Sequence, residues 1–243
     1  ARSSKGLKNN KTGVHTGKSF PFGSPFYLFY LLEVSMKFFS VESPIYKFMQ
    51  SLWDILKLNF MWIIFCIPIV TIGGSTIAAF SVLMRMSEDQ EGNVIKDFWK
   101  AFKENWKQGI FIGLLPPICF EAVFLDFQLY NAVENGGLGI LIVGCFSAYI
   151  FIFCLIYVFP LLARYDNTVI NSIKNSFRIG MKFFGRTFLL LVIIAVEVLI
   201  IFWNPTTKFV GALIGPACIM YTISGVAMHI FRKIEEDPAS LRK

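Results

Sequence analysis

The segment LGILIVGCFSAYIFIFCLIYVFPLLA, residues 138–163, decides the fold because it contains no charged side chain. A helix of about 20 apolar residues is long enough to cross the hydrocarbon core of a bilayer. Inside lipid, backbone N–H and C=O groups must be paired within the protein, and a helix pairs them within one segment. Residues 138–163 therefore predict a transmembrane helix.

Four further segments have the same apolar character, and the composition of the whole chain agrees with them. Charged residues make up 16% of the chain, whereas soluble domains contain about a quarter. We therefore predict an all-α, polytopic membrane protein with about five transmembrane helices and two cytoplasmic-side amphipathic helices. Besides residues 138–163, the predicted spans are Leu58–Met84, Gly109–Phe127, Thr187–Trp203 and Phe209–Phe231.

Lys and Arg residues between the spans predict the orientation. Residues 85–108 and 164–186 each contain five Lys or Arg, whereas residues 128–137 contain none. Basic loops stay on the cytoplasmic side of a membrane. We therefore expect a multi-pass protein of the cell membrane in which both basic segments and the C-terminus face the cytoplasm.

The path of the first predicted span is open. Five simple spans would place Met36 outside the cell, together with the cations that follow it. A helix break at Pro68, Gly73 and Gly74 offers two alternatives. Residues 45–67 cross once and 69–84 return, or the first part lies flat in the interface.

Two basic amphipathic segments, 94–107 and 169–182, resemble each other at an offset of 75 residues. Each has large apolar side chains at helical spacing and cations on another face, which is typical of a helix lying in the headgroup layer. We expect the cations to contact lipid headgroups or a partner: Lys96, Lys100, Lys103, Lys107, Lys174, Arg178 and Lys182. A parallel repeat of span, interfacial helix and span is one interpretation, and a chance match is the other.

Acidic residues within the spans are the candidate polar site. Glu121 and Glu197 fall at nearly matching places in the repeat, and an acid at such depth suggests function. Each could carry a proton or bind a sugar hydroxyl, or could be a protonated Glu bonded to a hydroxyl of another helix. Asp126 is expected near the outer interface, where water solvates it.

Glycine-rich stretches suggest either close helix packing or an open backbone. Residues 68–76, PIVTIGGST, are interpreted as a helix break or a close helix contact. The alternative is an unwound segment that binds a ligand. Gly109–Gly113 and Gly211–Gly215 are GxxxG patterns, for which we expect packing within the chain.

The sequence gives little sign of enzymatic chemistry. All five Cys lie in apolar segments without CxxC spacing, and one of the two His lies near the N-terminus. No catalytic pair and no HExxH motif is present, so we expect no metal, no cofactor and no enzymatic activity. From Met36 onward the chain has 18 Lys and Arg and 15 Asp and Glu, which does not favour nucleic acid as a partner.

From Met36 the chain contains Ser43-Pro44, Tyr46, Leu52-Trp53-Asp54, Leu58-Asn59, Trp62, Pro68, Thr71-Ile72-Gly73 and Ser75-Thr76, followed by FWKAFKENWKQ at residues 98–108. These residues resemble the opening and the second block of YesL-like membrane proteins. The resemblance implies a small multispanning protein of Gram-positive bacteria without an established activity. It also implies a link to carbohydrate utilisation, an accessory role in sugar uptake and a sugar ABC permease as partner. The alternative is a small proton-coupled carrier that uses the intramembrane Glu residues.

The start of the protein is a separate hypothesis. Residues 31–36, LLEVSM, can be encoded by a ribosome-binding sequence a few bases before an ATG codon for Met36. We therefore hypothesise that residues 1–35 are upstream nucleotide sequence read through in frame, with a disordered N-terminal leader as the alternative. Residues 36–243 are expected to form one helical membrane domain. N-terminal sequencing of the native protein tests this hypothesis.

Overall fold

A computed structural model describes residues 44–88, 90, 92–132 and 138–236. The expected leader, residues 1–35, and its boundary at Met36 lie outside the described residues. Contacts within the chain divide it into residues 1–50 and 51–243. Of the first unit the structure describes only residues 44–50, which begin helix α1, and every contact given below belongs to the second unit.

The described residues form α-helices and contain no strand. A 3-10 turn at Ile69–Thr71 separates the first two helices. The eight α-helices in the described ranges are α1 Pro44–Cys66, α2 Ile72–Ser87, α3 Val94–Gly113, α4 Leu115–Ala132, α5 Leu138–Arg164, α6 Val169–Lys182, α7 Phe184–Phe202 and α8 Pro205–Glu236.

Five helical segments are long and apolar enough to cross a membrane, which confirms the predicted fold class. The first is the 3-10 turn together with α2. The second combines α3 and α4, so the amphipathic residues 94–107 continue without a break into the apolar residues up to Gly113. The five segments are Ile69–Ser87, Val94–Ala132, Leu138–Arg164, Phe184–Phe202 and Pro205–Glu236.

The predicted first span, Leu58–Met84, is two helices, because α1 ends at Cys66 and α2 begins at Ile72. Pro68 lacks a backbone N–H and disfavours helical geometry at the preceding residue, so the helix stops there. Hydroxyls from α2 and its turn then bond the carbonyl of Phe65: Thr71 Oγ1 donates at 2.6 Å and Ser75 Oγ at 3.0 Å. The break is thus closed by side chains and does not leave an open backbone.

Gly73 and Gly74 lie within α2 and do not break it. Both glycines instead make a close contact with α3. A Cβ added to Gly73 would lie 2.0 Å from the carbonyl oxygen of Gly109, and one added to Gly109 would lie 2.3 Å from Cα of Gly74. Van der Waals packing drives helix association in lipid, and small residues let two backbones touch. The glycines at 109 and 113 therefore pack within the chain, as expected.

Helices α2, α5 and α8, the core helices, lie at the centre of the described chain, and α1 and α3 add side chains to the same buried cluster. Ile77 and Leu83 of α2, Val158 of α5 and Ala217 of α8 belong to one buried cluster. Each outer helix packs on the core helix that follows it, α4 on α5 and α7 on α8. The side chains of α4 and α7 are mostly exposed, so most of their surface is left for lipid.

Gly211 and Gly215 also pack within the chain. A Cβ on Gly211 would lie 2.5 Å from Cγ2 of Ile201, and one on Gly215 would lie 2.8 Å from Cδ1 of the same side chain. The second GxxxG pattern therefore holds α8 against α7.

Asn59 of α1 compensates for a proline inside α8. Pro216 has no N–H, so the carbonyl of Ala212 lacks its helical partner. The Asn59 side chain, 1% exposed, donates from Nδ2 to the carbonyl of Leu213 at 2.7 Å and to that of Ala212 at 3.5 Å. α1 is thereby bonded to the backbone of a core helix.

Replacing Gly109 by Ala is expected to lower the free energy of unfolding by about 1–3 kcal/mol, because the new methyl group meets backbone atoms of Gly74 that cannot move aside. Thermal unfolding in detergent measures the effect. Gly185→Ala is the matched control, because no atom lies within 4 Å of its added Cβ. Equal melting temperatures for the two variants would disprove the close contact.

Replacing Asn59 by Ala is expected to lower the free energy of unfolding by about 1–2 kcal/mol, because carbonyls of α8 lose a donor. The loss of unfolding free energy should be smaller in a Pro216→Ala background, because residue 216 then has an N–H that donates to the carbonyl of Ala212. A double-mutant cycle of unfolding energies measures this coupling. Identical losses in both backgrounds would show that Asn59 does not serve the proline site.

Candidate functional site

Glu197 of α7 is hydrogen-bonded to the next helix. Thr222 Oγ1 of α8 donates to its Oε1 at 2.6 Å, and the side chain is half-buried. The other carboxyl oxygen, Oε2, is buried and has no hydrogen-bond partner among the described residues. Glu197 therefore has the hydroxyl partner considered in one interpretation, together with one buried oxygen that no described residue bonds.

Asp126 of α4 has the same kind of partner, rather than water alone. Ser147 Oγ of α5 donates to its Oδ2 at 2.6 Å. Ser147 and Thr222 are separated by 75 residues, the offset of the predicted repeat. Asp126 and Glu197 are separated by 71 residues, so only the hydroxyls match the offset. Each outer helix thus carries an acid that is bonded by a hydroxyl of the following core helix.

Glu121 differs from the other two acids because it is exposed on the outer surface of α4. It has no hydrogen bond or ion pair with any residue that the structure describes. Its neighbours on the helix surface include Ile118 and Leu125, both exposed. The three acids therefore occupy separate places, and no three metal-ligating side chains form a cluster in the described ranges.

The amphipathic parts of α3 and α6 each have three surface sectors. One sector is buried and contains small residues, such as Ala101 and Gly109 in α3 or Ser176 and Gly180 in α6. The second exposes large apolar side chains, and the third carries the cations. At helical spacing the three sectors follow one another in the same rotational order in both helices.

The predicted apolar stripes are only partly buried. In α3, Phe98 is fully buried and Phe102 is half-buried, whereas Ile95 and Trp106 are exposed. In α6, Ile173 is half-buried, whereas the other three stripe residues, Ile170, Phe177 and Met181, are exposed. Small residues bring the helices against the protein, so the large ones remain for lipid.

The seven predicted headgroup-contact cations are all exposed: Lys96, Lys100, Lys103, Lys107, Lys174, Arg178 and Lys182. Several lie over aromatic rings, as Lys103 Nζ does over Trp99 at 4.7 Å from the ring centroid. This cation–π contact favours a fixed position of the ammonium group at the helix surface.

Comparison with known proteins gives a similarity to one family but no activity. Residues 55–127 match the family model described as "Protein of unknown function, DUF624". A relative from Bacillus subtilis (strain 168), named "Uncharacterized protein YesL", is 24% identical over 147 residues, which cover 59% of this chain and 69% of the relative. The resemblance to the YesL-like family is confirmed. No solved structure matches the chain.

The three core helices of the chain end in a shared ionic network of Glu88, Arg164, Arg232 and Glu235. Arg164 donates from Nε and Nη2 to the two carboxyl oxygens of Glu235, at 3.1 and 3.3 Å. Arg232 donates to Glu88 at 3.0 Å, and Arg164 Nη1 lies 3.6 Å from the same carboxyl oxygen. The C-terminal ends of α2, α5 and α8 therefore lie at one end of the molecule.

Tyr165 extends the ionic network. Its hydroxyl donates to Oε1 of Glu235 at 2.6 Å. Burial and the neighbouring Glu235 carboxylate raise the pKa of Tyr165 to about 12. The hydroxyl therefore remains protonated and continues to donate throughout the physiological range.

The hydroxyl partners of Asp126 and Glu197 and the ionic network are not among the residues predicted from the sequence. One sequence pattern could have indicated Ser147 and Thr222, because these two hydroxyl residues are separated by the 75-residue offset of the predicted repeat. No sequence pattern indicates the roles of Glu88 and Glu235. Their arginine partners lie far away in the sequence, and only the packing of the core helices brings them together.

Replacing Arg164 by Gln is expected to lower the free energy of unfolding by about 1–3 kcal/mol, because it leaves Glu235 without its paired donor. Arg232→Gln is the control: its side chain is 56% exposed, against 23% for Arg164, so it should cost less than about 1 kcal/mol. Denaturant unfolding in detergent measures both. A larger loss for Arg232→Gln would contradict the assignment of Arg164 as the centre of the network.

Proposed function

We propose that the protein is a non-enzymatic accessory component of a carbohydrate-uptake system and that it binds an integral membrane partner within the bilayer. A sugar ABC permease is the proposed partner. The link to carbohydrate rests on the resemblance to YesL-like proteins. The mode of action rests on the surface of α4.

The observation that carries this proposal is the exposed carboxyl of Glu121. In hydrocarbon a carboxyl without a hydrogen-bond partner is costly, and acids in spans ordinarily face protein or water. Gln128 is also exposed and lies two turns further along the same face of α4. A helix of another membrane protein that supplies donors to this face would stabilise Glu121, since interhelical hydrogen bonds contribute about 0.6–2 kcal/mol in membranes.

A photo-cross-linking amino acid at Leu125, one turn beyond Glu121, tests this proposal in native membranes of carbohydrate-grown cells. We expect a cross-link to a sugar permease subunit, and Glu121→Ala should reduce its yield severalfold. The matched control places the same probe at Leu199 of α7, which is also exposed to the surroundings.

The control and the identity of the adduct decide the outcome. Cross-linking at Leu125 but not at Leu199 would support a specific interface on α4. Equal adducts at both positions, or none from Leu125, would contradict a partner on this face.

A second candidate function is a small proton-coupled carrier. The two acid–hydroxyl pairs, Asp126 with Ser147 and Glu197 with Thr222, favour it because they occupy equivalent hairpins. Glu197 would accept a proton on one side of the membrane and release it on the other, while its buried Oε2 would bond the proton or a sugar hydroxyl. Glu121 would not share this role, because it faces away from the protein.

Transport by purified protein in vesicles tests the carrier. With an imposed pH gradient, uptake of a radiolabelled sugar should fall at least about tenfold on Glu197→Gln, because the carboxyl can no longer exchange a proton. Glu121→Gln is the control and should retain uptake. Vesicles that accumulate no sugar from a panel of mono- and disaccharides would remove this candidate, and accumulation without the permease would weaken the accessory proposal.

A further inference from the structure

The corner between α6 and α7 is the most uniformly cationic surface of the described chain. Residues 167–196 contain no acid and four cations, Lys174, Arg178, Lys182 and Arg186. By contrast, α3 carries Asp97 and Glu104 among its lysines. The arginines at the ends of the core helices are paired with acids: Arg85 with Asp97, Arg164 with Glu88 and Glu235, and Arg232 with Glu88.

Two cations of this corner lie over one aromatic ring. The centroid of the Phe183 ring lies 5.7 Å from Nζ of Lys182 and 5.8 Å from Cζ of Arg186. Phe183 joins the two helices, since α6 ends at Lys182 and α7 begins at Phe184. Both cationic groups therefore lie within 5.8 Å of one ring centroid, at the junction of the two helices.

Arg186 has a donor without an acceptor. Its Nη1 is buried and has no hydrogen-bond partner among the described residues. Buried N–H groups are ordinarily paired, and a guanidinium pairs most strongly with carboxylate or phosphate oxygens. Because residues 167–196 contain no carboxylate, an anionic acceptor for the Arg186 guanidinium has to come from another segment or from a ligand.

The surroundings favour a lipid as the source of that acceptor. Large apolar side chains are exposed beside the cations, with Phe184 and Phe188 on α7 and Met181 on α6. A free phosphate ion would gain nothing from these side chains, whereas the acyl chains of a phospholipid would cover them. A basic surface next to exposed apolar side chains is typical of binding to anionic lipid.

We propose that the α6–α7 corner binds the phosphate headgroup of an anionic phospholipid, with Arg186 and Lys182 as the principal contacts and Arg178 and Lys174 as further cations. The equivalent part of α3 is not such a site, because Phe111 stands at the position equivalent to Arg186 and Glu104 lies among the lysines. This inference does not depend on the proposed accessory function. It predicts a lipid preference of the purified protein by itself.

Titration with phosphatidylglycerol and with phosphatidylcholine, followed by native mass spectrometry of the full chain in detergent, tests the proposal. We expect phosphatidylglycerol to bind at least about tenfold more tightly than phosphatidylcholine. Each cation near an anionic headgroup contributes roughly fivefold in affinity. Arg178→Gln/Arg186→Gln should therefore weaken phosphatidylglycerol binding at least about tenfold, whereas phosphatidylcholine binding stays unchanged.

Lys100→Gln/Lys103→Gln removes the same charge from α3 and is the matched control, with an expected loss below about threefold. Equal losses in the two double variants would overturn the corner as a site and leave only a general effect of charge. Displacement of phosphatidylglycerol by excess inorganic phosphate would overturn the lipid assignment in favour of a free phosphate site.

If one of these variants misfolds, another variant tests the proposal. Circular dichroism and gel filtration verify each variant, and Lys174→Gln/Arg178→Gln, which changes only exposed side chains of α6, replaces any variant that misfolds. Retention of wild-type affinity by this replacement and by Arg186→Lys/Lys182→Gln would contradict the proposal.

Discussion

Backbone contact between α2 and α3 is the constraint on which the rest of the structure depends. Gly73, Gly74 and Gly109 let the two helices touch without intervening side chains. α3 is one helix from its basic start at Val94 to Gly113. Besides α3, α2 packs against α5 and α8. The core of three helices follows from this arrangement, because α2 packs against both of the others.

A second constraint is that polar groups within a membrane must find partners in the protein. Asn59 supplies donors where Pro216 removes one, and hydroxyls close the break at Pro68. Thr222 and Ser147 bond two of the three intramembrane acids. Glu121 is the exception, because it is exposed on an outer helix and has no partner among the described residues.

The two halves of the repeat share their geometry but differ in charge. Both amphipathic helices present a buried, an apolar and a cationic sector in the same order. In the first half, glycine contacts and mixed charges tie α3 to α2, and Asp97 pairs with Arg85. The second half has a separate short helix, α6, without acids. Equivalent positions can therefore serve packing in one half and lipid in the other.

The sequence by itself determined the properties that depend on neighbouring residues. Hydropathy gave the number of spans, proline placed the break before α2, and helical spacing showed the basic faces of α3 and α6. Only the tertiary structure decided which faces meet. Glu121 and Glu197 look alike along the chain, yet one is bonded by Thr222 and the other is exposed. That difference arises from contacts between residues distant in sequence, which no local pattern encodes.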